Sequence, residues 1–225
     1  MRRRASPVRG RSAESWGAES PGLGHAPREA EGEKRAARAP ERAVPSVMQI
    51  DRPRLDAFAA VVRPRIAGDL RLDALSTALY ATDASLYREP PLGVLIPRHA
   101  DDIQAALEEG ARYGVPIVAR GSGSSLAGSA VSGGLVVDTT KHLRDIVAID
   151  AEARTATVQP GVVLDDLNRA AAAHGLTFGP DPASSNRATL GGMLGTNATG
   201  THSIQYGAVV DWVEAADVLL PDGTP

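Results

Sequence analysis

Cysteine is absent from all 225 residues of this chain. Its absence excludes iron–sulfur ligation by thiolates, thiolate catalysis, cysteine-based zinc sites and disulfides. A metal would have to be held by histidine or carboxylate side chains, and we predict no metal site.

The sequence also lacks an excess of positive charge, long hydrophobic runs and more than a few aromatic residues. The 24 Lys and Arg residues are outnumbered by 27 Asp and Glu residues, and the net charge of -3 argues against general nucleic-acid binding. Two Phe and four Tyr offer few platforms for stacking single-stranded bases. No segment approaches the ~18 consecutive apolar residues that span a bilayer. We therefore expect a cytoplasmic protein with neither a nucleic-acid partner nor a transmembrane segment.

The first part of the chain has little that could form a core. Residues 1–47 are Arg, Glu, Ala, Gly, Pro and Ser almost throughout, which predicts a disordered tail. Met48 directly precedes the first foldable sequence, so we expect that translation starts there. From Leu55 to Leu79, apolar residues recur mostly every three to four positions, which predicts a helical lead-in over residues 48–90, broken at Pro64 and Gly68.

The rest of the chain alternates between strand and helix patterns. Strands are predicted at residues 93–97, 115–120, 135–138, 146–150 and 155–159 and within 209–220, and helices at 101–111 and 164–174. The two helices are followed by Gly114 and Gly175, which suit helix ends. This order predicts an α+β or mixed α/β fold.

A glycine–serine loop, residues 121–134, joins two of these strands. It holds five glycines and five serines. Glycine allows positive φ and close approach to a ligand, while successive N–H groups and hydroxyls form a concavity that suits an anion. A flexible linker is the alternative, but the quick return to another strand favours a phosphate-binding loop.

Two common phosphate-binding motifs fit this loop poorly. A Rossmann fingerprint needs three glycines opening a helix, whereas Gly121 and Gly123 are followed late by Gly128. Each glycine in a helix interior costs about 1 kcal/mol, so an NAD-binding crossover helix is disfavoured, although it stays open as an alternative. A Walker loop needs a lysine, and none occurs between Lys34 and Lys141.

Several blocks in one order give the chain a family resemblance. Residues 70–225 resemble the FAD-binding domain of the vanillyl-alcohol oxidase / p-cresol methylhydroxylase (PCMH) type. The segments PGVVLDDLN at 160–168 and FGPDPASSNRATLGGMLGTNATGTHSIQYG at 178–207 are similar to the D-lactate and glycolate dehydrogenase branch, which includes long bacterial members with an iron–sulfur module. The resemblance implies an α+β, PCMH-type fold with two α/β subdomains over residues 91–225, truncated at its carboxyl end.

The resemblance also implies non-covalent FAD and a set of residues around it. The loop amides would bind the pyrophosphate opposite the wall at 160–162, bare glycine backbone would face the ribityl chain or ring, and nearby hydroxyls and amides would donate hydrogen bonds. The implied cofactor-binding residues are Arg120, Gly121, Ser122, Gly123, Ser124, Ser125, Leu126, Pro160, Gly161, Val162, Pro180, Asp181, Thr189, Gly191, Gly192, Asn197, His202, Ser203, Tyr206 and Gly207. For the glycines and polar residues, an ordinary turn is the alternative.

Two of these positions carry a specific expectation. Ser124 or its neighbour matches the histidine through which the superfamily often attaches its flavin, so the flavin is expected to be held without a covalent bond. His202 is expected to contact the flavin or to hydrogen-bond within its loop, rather than to act as a catalytic base. We assign no catalytic residue from the sequence.

The implied reaction is oxidation of a D-2-hydroxy acid, such as D-lactate or glycolate, to the 2-oxo acid. The substrate would be a small molecule, and the active site would be completed by a downstream substrate domain or an iron–sulfur subunit, through which the protein could lie at the inner membrane. The alternative is a non-catalytic FAD-binding or nucleotide-binding fragment that keeps the fold without the chemistry.

Overall fold

The computed structural model describes residues 50–224. The predicted tail and the expected start at Met48 lie outside the described residues. The helices are α1 (Arg52–Val62), α2 (Ala74–Leu79), α3 (Ala100–Tyr113), α4 (Leu164–Ala172), α5 (Leu190–Gly195) and α6 (Ser203–Tyr206), with 3-10 turns at Arg63–Arg65 and Val209–Asp211. The strands are β1 (Asp69–Arg71), β2 (Gly93–Ile96), β3 (Ile117–Arg120), β4 (Leu135–Asp138), β5 (Ile146–Asp150) and β6 (Thr155–Val158).

Four of the strands form one mixed sheet in the order β1-β2-β4-β3. β2 and β3 both run parallel to β4, with Val94 and Val118 on either side of Val136, and β1 runs antiparallel to β2. All four residues of β2 and of β4 are buried. Both central strands are therefore continuous hydrophobic runs, as expected for parallel strands covered on both faces.

Helices α1 and α3 pack on each other and on this sheet. Their apolar faces and the strands share one buried cluster. It consists of Leu55, Phe58, Ala59, Val62, Leu70, Leu95, Ala106, Val115, Leu135 and Val137. Because β3 and β4 are parallel neighbours, their carboxyl ends lie together at one end of the sheet.

A second cluster lies between the later elements. The predicted hairpin is present as β5 and β6, and α4 ends shortly before Gly175, whose φ is 67°. The buried residues of this cluster are Val162, Leu164, Leu167, Ala188, Leu190, Met193 and Val209. The α+β class predicted from the sequence is confirmed.

One segment of the predicted helical lead-in is a strand. Asp69–Arg71 forms β1, and Leu70 pairs with Leu95 of β2. The leucines at 70, 72, 75 and 79 had suggested a helix, but Leu75 and Leu79 of the short α2 are 70% and 66% exposed. The edge of β2 offers backbone hydrogen bonds that outweigh a weak helical pattern.

The strand predicted within residues 209–220 is wrong. Val209–Asp211 forms a 3-10 turn, and no strand follows it up to residue 224. The amide of Val210 donates to Asn197 Oδ1 at 3.0 Å, and Val218 is exposed. A strand needs a neighbour with free backbone groups, and the described residues place none beside this segment.

Among residues 50–224, no helix combines the length and the apolar character needed to cross a membrane.

Candidate flavin site

The glycine–serine loop leaves β3 without regular secondary structure. Gly123 and Gly128 have φ of 70° and 78°, the left-handed region that favours glycine. Within the described residues, the five amides of 122–126 donate to no acceptor. A row of free amides on an irregular loop forms the concavity for an anion that the sequence predicts.

Serine side chains shape the loop from within. Ser125 Oγ accepts hydrogen bonds from the amides of Ala127 and Ser129, both at 3.2 Å, and Ser122 Oγ donates to Ser124 Oγ at 3.3 Å. The side chain of Ser125 is therefore committed to the turn, while its own amide is free.

Arg120 holds the loop against a segment that the sequence analysis missed. Its Nη1 donates to the carbonyls of Tyr80 at 3.2 Å and Ala130 at 3.1 Å, and its Nη2 donates to the carbonyl of Thr82 at 2.8 Å. The guanidinium also lies 5.2 Å from the centre of the Tyr80 ring. Arg120 thus connects the glycine–serine loop to residues 80–82 through these hydrogen bonds.

That missed segment, residues 80–89, supports the glycine–serine loop from outside. The amide of Ala84 donates to the carbonyl of Gly123 at 3.0 Å, and Asp83 Oδ2 accepts from the amide of Ala130 at 3.2 Å. Residues 80–89 have no apolar periodicity. Their one local signal in the sequence is Asp83, a residue type that favours turns. Its Oδ1 accepts from the amide of Ser85.

The three glycine-containing blocks of the sequence meet at one place. A Cβ at Gly121 would overlap Thr189 Oγ1, and a Cβ at Gly191 would lie 2.6 Å from Pro160 Cβ. The amide of Gly191 donates to the carbonyl of Pro160 at 2.8 Å. Bare backbone is thus required at both glycines, and the blocks pack closely enough to form one site.

Thr189 lies at the centre of this junction with an unpaired hydroxyl. The residue is 2% exposed, and its Oγ1 is the only buried side-chain polar atom in residues 50–224 without a hydrogen-bond partner. A cavity of about 500 Å³ lies beside it, lined also by Ser122 and Gly161. Because buried polar groups are nearly always paired, this hydroxyl points to a ligand that shares the cavity.

His202 and Asp181 form a pair further along the chain. Asp181 accepts from the His202 backbone amide at 3.0 Å, and its other oxygen lies 2.5 Å from His202 Nδ1. The hydrogen bond from the backbone amide of His202, followed by the one from its ring, lowers the pKa of Asp181 below its ordinary value. His202 is therefore a hydrogen-bonded loop histidine, one of the two roles expected from the sequence. Pro180, beside Asp181, is fully buried.

Other predicted cofactor residues serve local turns in this structure. Asn197 has a φ of 46° and caps the turn at Val210, and Ser203 Oγ accepts from the amide of Gly200 at 2.8 Å. The carbonyl of Tyr206 accepts from the indole nitrogen of a tryptophan, Trp212, at 2.7 Å. These contacts favour the turn alternative for Asn197, Ser203 and Tyr206, whose contact with a flavin stays a prediction. The same holds for Gly207, whose φ is 77°.

Residues 91–225, more than half of the chain, match the family described as "FAD binding domain". This chain belongs to that family. It is 40% identical over 157 residues to a D-2-hydroxyglutarate dehydrogenase of Pseudomonas putida. The matched region covers 68% of this chain and 16% of that protein. It is also 40% identical over 148 residues to the glycolate oxidase subunit GlcD of Bacillus subtilis. This second matched region covers 64% of this chain and 31% of that protein. The chain thus spans less than a third of either relative.

A solved structure shares the fold. The xylooligosaccharide oxidase from Myceliophthora thermophila C1, determined with xylobiose, superposes with a TM-score of 0.62 and 26% identity over 74% of this chain and 36% of that one. The predicted PCMH-type FAD-binding fold is confirmed, and the family decides for FAD over the NAD-binding alternative.

The residues at the junction fit this cofactor. The five free amides suit a pyrophosphate, the buried hydroxyl of Thr189 lacks a partner that a ligand can supply, and the glycines at 121 and 191 leave backbone bare where the blocks meet. Donors, an unpaired hydroxyl and a cavity at one place form a site for a phosphate-bearing cofactor.

Proposed function

We propose that this chain is the FAD-binding part of a flavin-dependent oxidoreductase that oxidises a small D-2-hydroxy acid to the 2-oxo acid. The observation that carries the proposal is the junction of the three blocks around the unpaired hydroxyl of Thr189. The names of the relatives, a D-2-hydroxyglutarate dehydrogenase and a glycolate oxidase subunit, support the substrate class.

When bound, FAD supplies the chemistry of accepting a hydride from the α-carbon of the substrate. The contribution of this chain is to bind and orient the cofactor. The free amides of 122–126 would bind the phosphates, bare backbone at Gly121 and Gly191 would permit close approach, and the Thr189 hydroxyl would donate to the ligand. Serine at position 124 supports a flavin held without a covalent bond.

We assign no catalytic residue to residues 50–224. Proton removal from a substrate hydroxyl needs a base within hydrogen-bond reach of that hydroxyl, and the contact between Asp181 and Nδ1 of His202 does not identify one. The matched part is less than a third of either relative, and we propose that a downstream substrate domain or an iron–sulfur subunit completes the active site.

Flavin binding is tested first. The purified chain is titrated with FAD, and the quenching of flavin fluorescence and the absorption spectrum are followed. We expect Gly191→Ala to weaken FAD binding at least tenfold, because its methyl group would collide with Pro160. Gly195→Ala is the matched control: it lies in the same helix, nothing lies within 4 Å of its added Cβ, and its affinity should equal that of the wild type. Mass spectrometry of the denatured holoprotein should show no flavin adduct.

Substrate oxidation is tested next, without oxygen. D-lactate, glycolate and D-2-hydroxyglutarate are added to the FAD-loaded chain, alone and with candidate partner subunits, and bleaching of the flavin is measured. L-lactate and L-2-hydroxyglutarate are the controls for the two chiral acids. Bleaching by a D-2-hydroxy acid supports the oxidoreductase. A chain that binds FAD but is never reduced, even with partners, would instead be the non-catalytic FAD-binding module.

A further inference from the structure

Two arginines line the cavity beside Thr189, and neither is among the residues that the sequence predicts to bind the flavin. Arg144 and Arg187 contribute to its wall together with Ser122, Gly161 and Thr189. Both arginines are exposed, and neither guanidinium makes an ion pair or a hydrogen bond within residues 50–224. Two unpaired cations therefore line the same cavity as Thr189, whose buried hydroxyl has no partner.

The backbone holds both arginines at the cavity. Leu143, next to Arg144, is buried, and its carbonyl accepts from the amide of Gly161 at 2.7 Å. The amide of Arg187 donates to the carbonyl of Ser184 at 2.8 Å, two residues before the buried Thr189. The backbone at or next to each arginine is thus fixed by a hydrogen bond close to the cavity.

One carboxylate lies among the residues lining the cavity, and it is paired. Asp166 Oδ1 accepts from Arg169 Nη1 at 2.7 Å. With two arginines and one aspartate, the lining carries an excess of positive charge. An anion entering the cavity meets two free guanidinium groups and Ser122, whose amide is also free.

We propose that Arg144 and Arg187 bind the pyrophosphate of FAD, an inference that rests on the proposed function. A pyrophosphate carries two negative charges, which the partial charges of amide groups match only in part. The planar, permanently charged guanidinium is suited to phosphate oxygens, and charge-assisted hydrogen bonds of this kind are about twice as strong as neutral ones. The two arginines thus make the site selective for a phosphate-bearing flavin.

The test compares two ligands and four variants of the full chain. FAD and riboflavin, which lacks the phosphates, are titrated against the wild type, Arg144→Gln, Arg187→Gln, the double variant and the control Arg54→Gln. Arg54 is an exposed arginine of α1 that makes no ion pair in the described residues. We expect each single variant to weaken FAD binding about tenfold, as one charge-assisted hydrogen bond implies, and riboflavin binding to stay unchanged.

The dependence of FAD affinity on ionic strength is a second measurement. It would be the same in all variants if the two arginines had only a structural role. The FAD affinity of the wild type should fall as salt is raised, and that dependence should flatten in the double variant but not in Arg54→Gln. Equal FAD affinity in all variants, or equal losses for FAD and riboflavin, overturns the role of the arginines while leaving FAD binding in place. A wild type that binds neither ligand overturns the proposed function itself, and this inference with it.

Discussion

Thr189 shows how one side chain can report a ligand. Its neighbours in sequence, Ala188 and Leu190, belong to the second apolar cluster, and a hydroxyl buried beside them needs a partner. The structure provides none among residues 50–224. The apoprotein therefore bears the cost of an unpaired hydroxyl, about 1–3 kcal/mol, which a ligand can remove.

Replacing Thr189 by valine should have opposite effects on the apoprotein and the holoprotein. We expect the free energy of unfolding of the apoprotein to stay equal or to rise by about 1 kcal/mol, because the unpaired hydroxyl is gone. FAD affinity should fall, because the ligand loses a hydrogen bond. Urea denaturation and fluorescence titration measure the two quantities, and Thr189→Ser, which keeps the hydroxyl, is the control for binding. A Thr189→Val chain that is less stable yet binds FAD normally would contradict this account.

At the scale of the elements, α3 is joined to the chain before it by one carboxylate. Asp102 is 2% exposed and accepts hydrogen bonds from the amides of Arg98 at 2.7 Å, Ala67 at 2.8 Å and His99 at 3.3 Å. Burial alone would raise the pKa of Asp102, but these backbone hydrogen bonds outweigh it and hold the pKa below its ordinary value. The carboxylate both caps α3 and fixes the turn that leads into β1.

Asp102→Asn should therefore destabilise the protein by about 1–3 kcal/mol at neutral pH, since an amide cannot replace a carboxylate that accepts several hydrogen bonds. The lowered pKa means that this stability is present above the ordinary aspartate pKa, about 3.9, and is lost as the pH falls through the value in the folded protein. Urea denaturation at several pH values should show the gap between wild type and variant closing in acid. The exposed neighbour Asp101, changed to Asn, should have a much smaller effect, and a gap that stays constant with pH would contradict the prediction.

At the scale of the whole molecule, the four-stranded sheet is joined to residues 80–89 at the end of β4. Tyr80, which lies between β1 and β2 in the chain, donates its hydroxyl to Asp138 Oδ2 at 2.5 Å. Burial first, and then the hydrogen bond to Asp138 and the charge of that carboxylate, raise the pKa of Tyr80 to about 12. This contact joins the sheet to the segment that supports the glycine–serine loop.

Alkaline titration should detect this contact. A tyrosine whose pKa is raised stabilises the fold fully below its ordinary value, about 10, and the contribution is lost as the pH rises through about 12. Absorbance at the tyrosinate band should show a step near that pH, which Tyr80→Phe removes and the control Tyr87→Phe leaves in place. If both variants keep the step, Tyr80 is not its source.

The sequence by itself determined the elements with strong local signals and the family. The runs at 93–96 and 135–138 could only be buried strands, Gly114 ends α3 as expected, and the glycine blocks were sufficient to identify a flavin-binding fold. These features depend on residues close together in the chain, where periodicity and turn chemistry act.

Only the tertiary structure decided which polar groups border the cavity. Thr189 and Asn197 come from the same block, yet one is buried without a partner and the other caps a turn. Arg144 comes from a segment without any motif and Arg187 from the same block as Thr189, yet both line the cavity, and β1 forms because a distant strand offers its edge. Burial, pairing and charge at the site depend on residues tens of positions apart, and no local pattern carries that information.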